Sequence, residues 1–213
     1  MCIRDRPYRE IDAAELARVA GTVRHGGVVA IARPRPLPVL DPKAAALWAR
    51  DGRPLLILDG VANPHNLGAI ARSAAFFGLE RMVLADRPEQ ALPSDAAYRV
   101  AAGGLEEVTL YRARLPAALR ALSGAYRVLA AAPKGGAPLR PAERKRAGGG
   151  RAEGGRAEAE RPVALVLGNE EAGLDPATLA ACEGVVRIPG SGRVQSLNVA
   201  QAAAILLYAL TVG

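Results

Sequence analysis

Five polar side chains sit where short apolar runs break, and together they could handle a hydroxyl or an anion. Val163 to Leu167 ends in Gly168-Asn169-Glu170-Glu171-Ala172-Gly173. Val185 to Ile188 breaks at Pro189-Gly190-Ser191-Gly192, and a helical pattern then opens at Ser196-Leu197-Asn198. An earlier apolar run, Leu55 to Asp59, leads into Asn63-Pro64-His65-Asn66-Leu67-Gly68-Ala69-Ile70-Ala71-Arg72. Arg72 falls among Ala69, Ala71, Ser73 and Ala75, small neighbours that leave a guanidinium open to an anion or hydroxyl; a surface ion pair is its bland alternative. Glu170 and Glu171 are adjacent, so in a loop they point apart and make no two-carboxylate acid–base pair. Asn66, Ser196 and Asn198 are each plain helix-cap candidates. Only convergence of Asn66, Arg72, Glu170, Ser196 and Asn198 would make a site. His65 reads equally well as a base, a cap or a surface residue, and His25 as ordinary.

Familiar phosphate chemistry is disfavoured. Gly168 to Gly173 has P-loop glycine spacing, but Leu174 and Asp175 stand where Lys and Ser/Thr are needed. No G-x-G-x-x-G follows a strand. The two cysteines, Cys2 and Cys182, show neither metal-ligand spacing nor a disulfide framework, so no metal and a reduced intracellular setting are expected.

Elements that could position these residues alternate in order. Strands are expected at Leu55–Asp59, Met82–Ala85, Glu107–Tyr111, Arg127–Ala132, Val163–Leu167 and Val185–Ile188. Helices are expected at Asn66–Gly78, with Ile70, Ala74 and Phe77 buried, at Ser94–Ala102, at Leu115–Ser123 and from Ser196 onward. Such alternation implies βαβ units and a mostly parallel sheet flanked by helices, an α/β fold. The polar residues then line the carboxyl ends of strands, where open α/β sheets hold ligands. Upstream, Ile11–His25 reads as a helix stopped by Gly26-Gly27, and Val28–Ala32 as a strand. Arg33 to Pro38 alternates prolines in a stiff connector, and a linker helix is expected at Lys43–Arg50. Met1 to Arg6 joins no pattern, and no apolar run resembles a signal core or membrane span. The Gly/Arg/Glu/Ala-rich stretch 134–161 offers nothing to a core and reads as a disordered insertion.

The net charge of +7 is uneven: residues 1–53 and 134–161 each carry an excess of +4, residues 54–133 one of +1, and residues 162–213 one of −2. Basic appendages around a patterned body suit a polyanionic partner, or simply an Arg-rich soluble surface.

With those residues in hand, the chain resembles the SpoU (TrmH-like) branch of RNA ribose 2′-O-methyltransferases. The carriers are Asn63 to Arg72, Leu165 to Leu174, and Ile188-Pro189 through Ser196-Leu197-Asn198-Val199, in that order within Leu55 to Leu210. Pro64-His65-Asn66 and Gly103-Gly104 look most like the poorly characterised tRNA/rRNA methyltransferase subgroup. The resemblance implies a C-terminal deep trefoil knot, a homodimer, S-adenosylmethionine as cofactor, tRNA or rRNA as partner, and a cytoplasmic location. It divides the chain into a remnant of an N-terminal RNA-binding domain (1–33), a linker (34–53), and a methyltransferase domain (54–213) with the insertion 134–161. It assigns the cofactor to Leu167, Gly168, Asn169, Ile188, Pro189, Ser196 and Leu197, and the chemistry to Asn66, Arg72, Glu170, Ser196 and Asn198. Arg72 matches the family's base. A guanidinium yields its proton with difficulty, so orienting the hydroxyl and its phosphate is the alternative role. Gly190-Ser191 departs from the Met that many members carry after the motif-three proline. A non-catalytic RNA-binding or ribosome-assembly factor is the competing expectation from another class, and a different nucleotide-binding transferase a third.

Overall fold

A computed structural model describes residues 7–139 and 161–212. The chain divides into two compact units, residues 1–36 and 37–213.

In the first unit, α1 (Ala13–Ala20) starts at Asp12, whose carboxylate accepts the Glu15 N–H. It ends at Gly21, five residues before the expected Gly26-Gly27 stop, because Gly21 adopts the left-handed conformation (φ 63°). The strand expected at 28–32 does not form: Val28 and Ile31 are exposed, and no described neighbour supplies a ladder for them.

The second unit is built on a sheet of seven strands. They are β1 (Leu55–Asp59), β2 (Arg81–Ala85), β3 (Thr109–Ala113), β4 (Arg127–Ala131), β5 (Ala137–Pro138), β6 (Val163–Gly168) and β7 (Gly184–Arg187). Their spatial order is β3-β2-β1-β6-β4-β7-β5, and every pair is parallel. Helices cover both faces, so in the central strands β1, β2 and β6 the residues are buried or nearly so whichever way they point, as their near-continuous apolar runs require. Leu56, Leu58, Met82, Leu84, Leu165 and Leu167 enter one core layer, with α3 (Pro64–Phe76), α4 (Asp95–Ala101), α5 (Gly104–Glu107) and α8 (Val199–Thr211). Leu55, Ile57, Val83, Ala164 and Val166 enter the other, with α2 (Pro42–Trp48), α6 (Leu115–Leu122) and α7 (Pro176–Ala180).

Three expectations change. The 34–53 stretch is not a bare linker, because Leu40, Ala45 and Ala49 are buried in the second core layer. Val39 also forms a parallel bridge with Arg112 at the sheet edge. Leu37 packs on the opposite layer. The first residues of the 134–161 stretch are ordered: Ala137–Pro138 adds an edge strand to β7, while 140–160 lies outside the described residues. Finally, β3 begins two residues later than expected, since Gly104–Glu107 makes another helical turn first.

Candidate active site

The pairing of β1 with β6 runs Leu55↔Ala164 through Asp59↔Gly168, so both strands end at the same level. Each then releases a polar loop, and the two loops meet. Asn63, not Asn66, caps α3: its side chain accepts the His65 N–H at 2.8 Å, with Pro64 as the first helical residue. That correction matters chemically, because it frees the half-buried Asn66 amide one turn inside the helix. Asn66 Nδ2 donates to Glu170 Oε1 at 2.7 Å, and Asn66 Oδ1 accepts from Asn198 Nδ2 at 3.1 Å. Glu170 Oε2 also accepts the Ala62 N–H at 3.1 Å, and Oε1 the Asn63 N–H at 3.3 Å. Asn198 Oδ1 meanwhile caps α8, accepting from the N–H groups of Ala200 (2.8 Å) and Gln201 (3.4 Å). One carboxylate and two amides therefore join β1's loop, β6's loop and the start of α8.

Burial pushes the Glu170 carboxyl upward, but hydrogen bonds from Asn66 and from the main chain of Ala62, Glu170 and Asn63 outweigh it and hold it below its ordinary value. It is therefore an anion at neutral pH, acting as a fixed acceptor rather than as a proton donor.

The 168–175 loop is closed on itself. Asn169 and Gly173 exchange both main-chain hydrogen bonds (2.8 and 3.0 Å), and Asn169 Oδ1 accepts the Glu171 and Ala172 N–H groups at 2.9 Å. A Cβ on Gly168 would stand 2.5 Å from the carbonyl carbon and oxygen of Gly173, so only glycine lets the loop close this tightly. Asn169 Nδ2 ties the loop to the Gly60 carbonyl at 2.8 Å. Glu171 is exposed and points its carboxylate to none of these partners.

Arg72 lies six residues beyond Asn66, about 9 Å along the axis and on another face of α3. Its side chain is exposed, and among the described residues it forms no hydrogen bond or ion pair. Its backbone is held by the Gly103-Gly104 turn, where a Gly104 Cβ would lie 2.6 Å from the Arg72 Cα. Ser196 and Leu197 are exposed, as is Pro189; Ile188 is half-buried against the core, and Leu167 is buried. The structure thus brings Asn66, Glu170 and Asn198 into contact, and leaves Arg72 and Ser196 outside that junction.

Residues that the sequence did not single out hold the site from behind. Asp59, only 1% exposed, takes Arg87 Nη1 at 2.8 Å and the Asp175 N–H at 3.0 Å. Arg87 Nη2 reaches Asp175 at 3.1 Å. Buried Gln90 accepts the Gly60 N–H and donates to the Val61 carbonyl. Burial disfavours the Arg87 charge, but the carboxylates of Asp59, Asp175 and Glu89 more than restore it. Asp175 is held low chiefly by the Ala177 N–H that it caps, with Arg87 contributing. The sequence signal was faint: a charged residue ending an apolar run, as Asp59 does, needs a buried partner.

The pattern of the SpoU rRNA Methylase family matches residues 53–208. The chain belongs to that family. It is 36% identical to the 23S rRNA (guanosine-2'-O-)-methyltransferase RlmB of Acinetobacter baylyi, over 91% of this chain and 73% of that protein. It is 31% identical to the uncharacterized tRNA/rRNA methyltransferase YfiF of Escherichia coli O157:H7, over 97% of this chain and 55% of YfiF. The structure of an AdoMet-bound rRNA methyltransferase from Sinorhizobium meliloti superposes with a TM-score of 0.62 at 29% identity, covering 75% of this chain and 56% of that one. The chain therefore spans little more than half the length of two of these three SpoU-family relatives. The matched region contains every residue of the Glu170–Asn66–Asn198 junction, while the first unit lies wholly outside it.

Proposed function

We propose that this chain transfers a methyl group from S-adenosylmethionine to a ribose 2′-hydroxyl of rRNA or tRNA. The observation that carries the proposal is the Glu170–Asn66–Asn198 junction: it welds the three motif segments of an RNA methylase family into one surface at the carboxyl edge of the sheet.

The residues present suit the cofactor. Between Gly190 and Leu197 the main chain makes a single hydrogen bond among the described residues, Arg193 N–H to the Ser191 hydroxyl at 3.4 Å. An exposed loop with its N–H and C=O groups unspent can grip a polar ligand by main chain. Leu167, Gly168 and Asn169 on β6 and Ile188, Pro189, Ser196 and Leu197 on the following loop would hold the adenosine and methionine parts. Bound there, S-adenosylmethionine supplies an electrophilic methyl on a sulfonium.

This chain's own residues do the rest. The 2′-oxygen takes the methyl as the carbon–sulfur bond breaks, and the hydroxyl proton must leave. Asn66, Glu170 and Asn198 fix the floor on which the ribose is aligned; proximity of this kind contributes much of a transfer reaction's rate. Arg72, exposed and without a partner among the described residues, holds the hydroxyl through its adjacent phosphate; to act as base instead, its guanidinium must first give a proton to solvent before it takes the one from the hydroxyl. Ser196 offers a further hydrogen bond at the rim.

The finer assignments belong to the same proposal. The knot is supported by the strand order. β6 lies between β1 and β4, β7 lies beyond β4, and the chain then returns to pack α8 against α3 and β6. The homodimer is supported by exposed Phe76 on α3, Ile205 and Tyr208 on α8, and Val212 just after it, apolar side chains that a second copy would cover. Residues 1–33 serve RNA binding, and 34–53 lead from them to the methyltransferase domain, 54–213. A cytoplasmic location belongs to the same proposal and is supported by an rRNA or tRNA substrate. No described helix is long and apolar enough to cross a membrane.

The deciding experiment is transfer of labelled methyl to bulk tRNA and to rRNA by the wild type and Arg72→Ala. Label in one RNA class that falls by about 10²–10⁴-fold in the variant supports the proposal. RNA binding without label would favour the assembly-factor alternative.

A further inference from the structure

The turn between β2 and α4 contains two side chains that reach away from their own element. Arg87 bridges the buried Asp59 carboxylate (2.8 Å) at the end of β1 and the Asp175 carboxylate (3.1 Å) at the exit of the 168–175 loop. Asp59 takes the Asp175 N–H with its other oxygen (3.0 Å), so the three groups close a ring. Three residues on, Gln90 holds the Gly60 N–H (3.0 Å) and the Val61 carbonyl (3.1 Å), the first step of the loop leading to Asn63 and Asn66. At the loop's entry, Asn169 grips the Gly60 carbonyl (2.8 Å). None of Arg87, Gln90 or Asp59 touches the Glu170–Asn66–Asn198 junction. Together they fix the positions from which both of its loops depart.

We propose that Arg87 is a positioning residue for methyl transfer: by pinning the exit of the 168–175 loop to the end of β1, it sets where Glu170 and the main chain of Leu167 to Asn169 stand relative to Asn66. A surface ion pair would add little. Here one partner is buried and the bridge has two arms, so a guanidinium fork is required and a point-charge ammonium is a poor replacement. With the bridge cut, Asp59 keeps a buried charge whose remaining partner is one N–H. The loop exit then relaxes, moving the cofactor-side main chain before it moves Asn66, which Asn63's cap and Gln90 still secure. The loss therefore falls on the cofactor and spares RNA affinity. This inference rests on the S-adenosylmethionine reading given above.

The test is calorimetric titration of the full chain with S-adenosylhomocysteine, alongside methyl-transfer kinetics. The wild type, Arg87→Met, Arg87→Lys and Asp175→Asn are compared at a temperature where each is folded. Asparagine caps as well as aspartate, so Asp175→Asn keeps the start of α7 while removing the charge. The expected result is about ten-fold weaker binding in Arg87→Met, an equal rise in the KM for S-adenosylmethionine, and an RNA KM within about two-fold of wild type. Arg87→Lys should recover only part of this, and Asp175→Asn should shift in the same direction. A purely structural role would lower the melting temperature and leave the binding constant alone; that outcome, in Arg87→Met or, should it not fold, in Asp175→Asn, overturns the proposal. A folded wild type that binds no S-adenosylhomocysteine would instead sink the cofactor reading, and this inference with it.

Discussion

Two loops leave the carboxyl edge of the sheet toward the same place, and they are built in opposite ways. The 168–175 loop spends its polar groups: Asn169 alone makes five hydrogen bonds, four within the loop, counting its main-chain exchange with Gly173, and one to the Gly60 carbonyl. The 189–197 loop spends almost none, and its side chains are exposed throughout. Preorganisation is thus concentrated on the β6 side, where Glu170 must meet Asn66. The β7 side is left to be completed by a ligand. An ordered donor–acceptor frame costs nothing further when ligand arrives, whereas an open loop gives its unspent main chain to the ligand and is ordered by it.

Substituting a glycine in each loop breaks the comparison most directly. Gly168→Ala must push Gly173 away from contacts near 2.5 Å, all of them backbone, and should cost about 1–3 kcal/mol by denaturant titration. Gly190→Ala meets nothing within 4 Å and should stay within about 0.5 kcal/mol of wild type. Equal losses would mean that both loops are equally tight.

Glu170→Ala is the next largest. It removes the acceptor for the Asn66 amide and for the Ala62 and Asn63 N–H groups, which are water-accessible enough to recover part of the loss. A cost of about 1–2 kcal/mol is expected, with a larger relative fall in methyl transfer. Its pH dependence sharpens the point. The folded carboxyl titrates below its ordinary value near 4.5, so between the two values the unfolded chain binds more protons and stability rises with pH. Glu170's contribution is complete above about pH 4.5 and is lost as pH falls through the lowered value. Glu170→Gln should flatten that acid limb, and an unchanged limb would show that the carboxylate's hydrogen bonds do not survive in solution.

How much of this was legible in the sequence follows the same division. The strands and helices could be read from apolar alternation, because both faces of a covered parallel sheet demand unbroken Val, Leu and Ile. The junction residues could be suspected from their place at run ends. The cap of α3 could not be read from sequence: Asn63 and Asn66 are both of a type that caps helices, and only the backbone geometry at Asn63-Pro64 shows that Asn66 keeps its side chain free. Arg87 and Gln90 carry no sequence signal, since they belong to an ordinary turn, and their reach to β1 depends on strand order. That order, with β4 between β6 and β7, follows from no local pattern. Nor does the strand expected at 28–32 fail for any local reason; Val28 to Ala32 has the composition of a strand and lacks a described partner.

The smallest expected effect separates capping from site geometry at Asn198. Its Oδ1 caps α8 and its Nδ2 donates to Asn66, so the two roles use different atoms. Asn198→Ala loses both and should cost about 1 kcal/mol. Asn198→Asp keeps the cap and adds a charge favoured at a helix N-terminus, so stability should hold within about 0.5 kcal/mol. It cannot donate to Asn66, and its carboxylate would stand near that of Glu170, across the same amide. Methyl transfer should therefore fall while the unfolding midpoint stays put. Retained activity in Asn198→Asp would make Asn198 a cap and nothing more, and the preorganised frame would then end at Glu170 and Asn66.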